Sequence, residues 1–271
     1  VFSDLFTPSM RNVIMIGLIV GIFQQIIGIN AVLYYAPMIF EQTGIGTDAS
    51  FIQAALVGFT NLLFTILAMA TIDRLGRKPL LILGMAGTAI CLFILAYGFN
   101  TATYTITDET LLNLSSEINV EQLTALKNQT FDSDLNFKTA LSSVLGSEDA
   151  LKHEATLITA ATKMNTTLIL IGIIGFVGSF AFSIGPVMWV LFSELFPNRI
   201  RGLAISFVGL INLAVAFAVQ LLFPWELSIL GSAKTFFIYA VFAVIGFFFV
   251  LLKVPETKGK SLEQLETELI K

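Results

Sequence analysis

The sequence predicts an all-α integral membrane fold of six transmembrane helices, on three observations. Hydrophobic residues make up 56% of the 271 and charged residues only 13%, with a mean hydropathy of +0.85. A soluble domain carries about 25% charged residues, so this chain has roughly half the charge that a water-facing surface needs. Six stretches contain no Asp, Glu, Lys or Arg, and the cations gather at every second boundary between them. The same figures exclude other classes. A net charge of −4 without a basic run excludes nucleic-acid binding, and the apolar content excludes intrinsic disorder. One cysteine, Cys91, and one histidine, His153, leave neither a disulfide framework nor a His/Cys cluster for a metal.

In chain order the charge-free runs are Asn12–Phe40, Ala49–Ile72, Pro79–Thr107, Met164–Ser193, Gly202–Trp225 and Thr235–Leu252. A helix of about 20 apolar residues crosses a hydrocarbon core of roughly 30 Å, so all six qualify, the last narrowly. None shows the alternation that barrel strands require. Arg11, Arg74, Arg77, Lys78, Arg199, Arg201, Lys253, Lys258, Lys260 and Lys271 all fall on one side of this arrangement. The positive-inside rule makes that side cytoplasmic, with both ends of the segment on it and a cell membrane between. The chain thus divides into three transmembrane helices within 11–107, an exterior insertion with short helices at 108–163, three more helices within 164–253, and a cytoplasmic tail at 254–271.

The insertion is the one polar piece. Asn119 with Gln122 has the spacing of a capping box, and Ser147-Glu-Asp that of a helix start. Asn113-Leu-Ser and Asn128-Gln-Thr are glycosylation sequons, meaningful in a eukaryotic source. His153 reads as a solvated loop residue, and the insertion as a cap without chemistry of its own.

Around the insertion the spans form two trios, each opening on a long span interrupted by Gly and Pro. These are Gly28 and Pro37 in the first span, and Gly172, Gly175, Gly178 and Gly185-Pro186 in the fourth. Paired interrupted spans at corresponding positions of two repeats point to a transporter's binding site. Gln24, Gln25 and Asn30 lie in the first span, Asn61 in the second, Trp189 in the fourth, and Asn212 and Gln220 in the fifth. Gln24, Asn61 and Asn212 each stand about 16–20 Å from the nearest cytoplasmic charge, counted at 1.5 Å per residue. Amides at one depth offer donors and acceptors to a neutral, polyhydroxylated ligand without the desolvation cost of a charge. Trp189 adds a flat apolar face. For each amide alone, interhelical glue is the rival reading, and for Gln220 it is preferred. Gln24 and Gln25 converge with Asn30 only if the helix opens near Gly28. With no charge inside a span, an ion-transfer residue is not expected in this chain.

Four motifs then resemble the sugar porter family of the major facilitator superfamily. Gln24-Gln-Ile-Ile-Gly-Ile-Asn-Ala-Val-Leu-Tyr-Tyr-Ala-Pro37 resembles its seventh helix, and Asp73-Arg-Leu-Gly-Arg-Lys78 its loop after the eighth. Gly185-Pro-Val-Met-Trp-Val-Leu-Phe-Ser-Glu-Leu-Phe-Pro-Asn-Arg-Ile-Arg-Gly202 resembles its tenth helix and following loop, and Pro255-Glu-Thr-Lys-Gly259 the motif after the twelfth. The resemblance is strongest to bacterial xylose/proton symporters and glucose transporters. It implies the C-terminal bundle, helices 7–12, of a twelve-helix protein, with 1–10 ending a cytoplasmic linker and an N-terminal six-helix bundle missing as partner. It also implies substrate contacts at Gln24, Gln25, Asn30, Asn61, Gly185, Trp189 and Asn212, and a gate at Tyr34 and Tyr35, to which the helix-bending Pro37 and Pro186 are joined. Asp73, Arg74, Arg77, Glu194, Arg199, Arg201 and Glu256 match an inner charge network that locks the outward-facing state.

The resemblance therefore implies monosaccharide transport by alternating access, for a pentose or hexose such as xylose or glucose, with no cofactor and no covalent chemistry. Proton-coupled symport is preferred to facilitated diffusion, although the family's coupling carboxylate lies on its first helix, outside this chain. A transporter-like sugar sensor is the alternative of a different class. A membrane enzyme would need a partner for the one histidine, and a half-length protein would have to dimerise into a pore.

Overall fold

The computed structural model describes residues 5–41, 43, 47–114 and 118–269. The first span is two helices, α1 (Arg11–Ile26) and α2 (Ile29–Glu41), followed by α3 (Thr47–Leu75) and α4 (Arg77–Asn100). The insert holds β1 (Thr103–Thr105), α5 (Asp108–Asn113), α6 (Val120–Leu123), β2 (Thr130–Phe131), α7 (Asp134–Leu145), α8 (Ser147–Lys152), α9 (Glu154–Ala161) and β3 (Thr162–Lys163). The fourth span is again two helices, α10 (Thr166–Phe182) and α11 (Ile184–Leu195), and α12 (Arg201–Leu230), α13 (Ser232–Lys253) and the short α14 (Leu262–Leu269) complete the chain. Among the described residues six spans are long and apolar enough to cross a membrane, as the charge-free runs predicted. In the core, α4 packs between α10 and α13, α1 lies along α12, and α2 and α10 both contact α3.

The third run departs from expectation. It stays uncharged to Thr107, but the helix stops at Asn100 because the next residues, Thr-Ala-Thr-Tyr-Thr-Ile-Thr, alternate with period two. Ala102, Tyr104 and Ile106 point into the insert and are buried, and β1 pairs antiparallel with both β2 and β3. The insert is therefore a folded unit with its own core around Tyr104, Leu123, Phe137, Leu141 and Leu157. Burial and the neighbouring Asp134 carboxylate push the Tyr104 phenol above the ordinary tyrosine range. Asn119 caps α6 by accepting from the Gln122 backbone N–H, and α8 begins at Ser147 as expected, with Gly146 as its N-cap. His153 is half-buried at the junction of α8 and α9, not fully solvated. Asn128 is exposed at φ 60°, whereas the sequon at Asn113 runs into residues outside the described ones.

One device starts two helices at opposite ends of the bundle. Gly76, at φ 95°, precedes α4, and Gly231, at φ 79°, precedes α13. A Cβ at Gly76 would lie 2.7 Å from the Glu256 carboxylate, and one at Gly231 would lie 2.5 Å from that of Asp134. Glycine thus supplies both the left-handed turn and the room for an acid from a distant part of the chain. The Glu256 carboxylate accepts from the backbone N–H of Arg77 and of Lys78, both at 3.1 Å. Asp134 accepts from the Ser232 N–H at 3.0 Å and its hydroxyl at 3.1 Å, and from the Leu135 N–H at 2.9 Å. These N–H groups have no partner within their own helices, and a carboxylate there also meets the positive end of the helix dipole.

Asp134 therefore pins the insert to the α12–α13 turn. Replacing it by Ala should cost about 1–3 kcal/mol locally, because the Ser232 donors lose a buried partner. Hydrogen-exchange mass spectrometry is expected to show faster exchange at the starts of α13 and α7, with α4 unchanged.

Candidate functional site

The break in the first span sits where the glutamines and Asn30 required it. Gly28 adopts φ 85°, and a Cβ there would lie 2.4 Å from the Tyr239 ring, so both backbone and packing demand glycine. Across the break the Asn30 amide donates to Gln25 Oε1 at 2.7 Å. The Gln25 amide donates to Gln24 Oε1 and to Asn212 Oδ1, each at 3.1 Å. Asn212 in turn donates to Gln24 Oε1 and to the Gly21 carbonyl, each at 2.8 Å. Gln24 reaches the second broken span, donating to the carbonyls of Ile184 and Gly185 at 3.2 Å. The depth equivalence of Gln24 and Asn212 is thus realised as direct contact.

The fourth span breaks just before its glycine-proline pair. Ser183, at φ −134° and ψ −107°, separates α10 from α11, and Pro186 occupies the first turn of α11. Proline is tolerated there because first-turn N–H groups have no intrahelical acceptor anyway. Pro37, by contrast, lies inside the continuous α2, where it leaves one backbone acceptor without its donor.

Counting donors and lone pairs separates the four amides. Gln24 uses both amide protons and accepts twice, so it is saturated and 4% exposed. Gln25 and Asn212 have spent both protons, and each keeps one acceptor site. Asn30 makes a single hydrogen bond and is half-buried, which leaves it a donor and two acceptor sites among the described residues. One helical turn beyond Gly185, Trp189 is 45% exposed and lies over Gly209 of α12, one turn from Asn212. Asn30 therefore keeps open bonding capacity at the cluster, and Trp189, edge-on to Phe192 with centroids 5.9 Å apart, keeps part of its indole exposed. Asn61 does not join it: the Asn61 carbonyl accepts from Thr65 within α3, and its side chain is half-buried. Gln220 bonds back to the Ala216 carbonyl of its own helix. Tyr34 is exposed on α2, while Tyr35 packs on Phe223 with ring centroids 5.3 Å apart.

At the arginine-rich end the expected charges fall into two groups. Arg77 grips Glu194 with two hydrogen bonds, of 3.0 and 2.6 Å, and pairs with Asp73 at 3.1 Å. Thr257 also donates to Glu194, and Lys258 to the Arg74 carbonyl, each at 2.6 Å. With Glu256 on the start of α4, these contacts tie α4, α11 and the tail together. Arg201 donates instead to the Phe196 carbonyl at 3.1 Å, and the Arg74 and Arg199 side chains are exposed. The tail's α14 starts with a reciprocal box in which Ser261 accepts from the Gln264 N–H and Gln264 from the Ser261 N–H. Among the described residues there is no group of His, Cys, Asp and Glu suited to a metal ion.

The family model described as "Sugar (and other) transporter" matches residues 2–115 and 144–269. The chain belongs to this family. It is 35% identical over 261 residues to the D-xylose-proton symporter of Escherichia coli (strain K12), covering 94% of this chain and 41% of the relative. It is 30% identical over 269 residues to the arabinose-proton symporter of Bacillus subtilis (strain 168), covering 99% of this chain and 45% of the relative. Among solved structures, a major facilitator superfamily proton:xylose symporter bound to 6-bromo-6-deoxy-D-glucose matches with a TM-score of 0.67 at 32% identity, over 95% of this chain and 43% of that one. The inward-open form of the E. coli xylose transporter matches with a TM-score of 0.64 at 30% identity, over 98% of this chain and 43% of that one. The chain thus spans less than half the length of these relatives, in a family of transporters and not of enzymes. Residues 116–143, which carry the Asp134 clasp, lie outside the family match.

Sequence reasoning missed one polar contact beside the site. The charge-free count ended the fifth span at Trp225, but α12 runs on to Leu230 and so contains Glu226, which accepts from the Tyr239 hydroxyl at 2.7 Å. A helical extrapolation past Pro224 would have found it.

The bond inventory separates structural amides from available ones. Removing Gln24 strands donors on Gln25 and Asn212, so Gln24→Ala should lower stability by about 2–4 kcal/mol, whereas Asn30→Ala should cost about 1 kcal/mol or less. Thermal unfolding of the two variants in detergent, with near-equal melting points as the contrary result, checks the distinction.

Proposed function

We propose that this segment forms the C-terminal half of a monosaccharide transporter and carries the sugar site on the α1–α2 and α10–α11 breaks. The observation that carries the proposal is the uncharged amide cluster between the two breaks, with Asn30 open for hydrogen bonding and Trp189 part-exposed over Gly209, one turn from Asn212. A sugar presents alternating hydroxyls and C–H faces. Asn30, Gln25 Oε1 and Asn212 Oδ1 suit the hydroxyls, and the indole suits the C–H face. Gln24 acts from behind, holding α1 to α11. Gly185 contributes its carbonyl to that bond instead of touching the ligand, and Asn61 contributes from α3 only when the ligand brings the walls together. Tyr34 and Tyr35 on α2 form the gate, which Pro37 softens by removing a helix bond.

The arginine-rich end is cytoplasmic and the insert exterior, by the positive-inside rule. Arg77, Glu194 and Glu256 hold that end of the bundle as one piece, while Asp73 and the exposed Arg74 at the end of α3 are placed to pair across to an N-terminal bundle when the inner side is closed. Such pairs bias the equilibrium between inward and outward states. The names of the relatives, arabinose-proton and D-xylose-proton symporters, favour proton coupling over facilitated diffusion.

Two measurements test this in the full-length protein. Asn30→Ala and Trp189→Ala are each expected to weaken binding of radiolabelled xylose or glucose by about fivefold or more, the worth of one hydrogen bond or stacking contact. Unchanged binding in both would sink the assignment. Uptake into vesicles should rise when the exterior is acidic; identical uptake with and without a pH gradient would favour facilitated diffusion.

A further inference from the structure

Glu226 lies within α12, one turn before its end, and is half-buried. A carboxylate in a membrane-crossing helix is costly and is kept by a specific partner. Its partner is the Tyr239 hydroxyl at 2.7 Å, two turns into α13. Tyr239 is 3% exposed, and its ring occupies the space where a Cβ on Gly28 would be. Phe223, on the Glu226 face of α12, stacks on Tyr239 with centroids 6.3 Å apart at 22°, and Tyr35 of α2 leans on Phe223. One hydrogen bond therefore holds a ring that touches the α1–α2 hinge directly and reaches Tyr35 of α2 through Phe223.

We infer that Glu226 and Tyr239 are positioning residues, whose hydrogen bond seats the Tyr239 ring against Gly28 and sets the angle at which α2 leaves α1. Asn30 follows Gly28 by two residues, so that angle decides whether its amide meets Gln25 at 2.7 Å. Loss of the hydroxyl or of its acceptor frees the ring to withdraw, the hinge relaxes, and Asn30 and the tyrosines of α2 move together. The inference rests on the sugar-site reading for its effect on affinity, but its effect on the hinge is independent of any ligand.

The test uses the full-length protein with Tyr34→Cys as reporter, other reactive cysteines removed, and a membrane-impermeant maleimide. Tyr239→Phe keeps the ring and Glu226→Gln keeps an acceptor, so both should fold; Glu226→Leu removes the acceptor. Tyr239→Phe and Glu226→Leu are expected to change the labelling rate about threefold or more in the same direction and to raise the sugar Kd by a similar factor, one hydrogen bond's worth. Glu226→Gln should remain close to the parent. The double variant Tyr239→Phe/Glu226→Leu should be no worse than either alone, because both remove the same bond. Parental labelling rates in Tyr239→Phe, or additive effects in the double variant, would overturn the inference. A parent that binds no monosaccharide would overturn the sugar site, and the labelling rates would still decide the role of the pair.

Discussion

Gln24 joins two helices that have each been cut. In a bilayer a broken helix is expensive, because backbone groups released at the break have no water to turn to. Such a break persists only where neighbouring groups over-determine it. Gln24 donates to the first turn of α11 and accepts from Gln25 and Asn212, so α1, α11 and α12 meet on one side chain. Every bond capacity of Gln24 is used, which makes it the fixed point from which the more open Asn30 is displayed. A site of this kind is firm at its back and soft at its front.

The two ends of the bundle answer the same constraint with carboxylates. Glu256 and Asp134 each travel far through the sequence to sit on the N-terminus of a core helix, admitted by a glycine in the left-handed conformation. Since α4 and α13 pack against each other, fixing both starts holds this core helix pair at both ends. The Asp134 clasp lies in 116–143, outside the family match.

Much of the fold was legible because bilayer physics writes it in one dimension: charge-free runs of sufficient length became the six spans. The Gly28 opening was legible too, since Gln25 and Asn30 share a face only if the helix breaks between them. What escaped was set by partners distant in sequence. Nothing local marks Asp134 as the cap of α13, because Ser232 stands 98 residues away. The Ser183 break was displaced from Gly185-Pro186 because proline suits the start of a helix as well as it interrupts one. Counting charges also hid Glu226, which the count treated as a boundary while the helix ran one turn past it. The role of Asn61 could not be read from depth alone, since depth gives the level of a side chain and not its direction.

The most direct measurement is a structure of the full-length protein with xylose or glucose bound. The account predicts a sugar hydroxyl within hydrogen-bond distance of Asn30, the sugar's C–H face against Trp189, and Gln24 still bonded to the carbonyls of Ile184 and Gly185. A sugar bound away from the two helix breaks, or a Gln24 that leaves those carbonyls to hold the ligand, would contradict it.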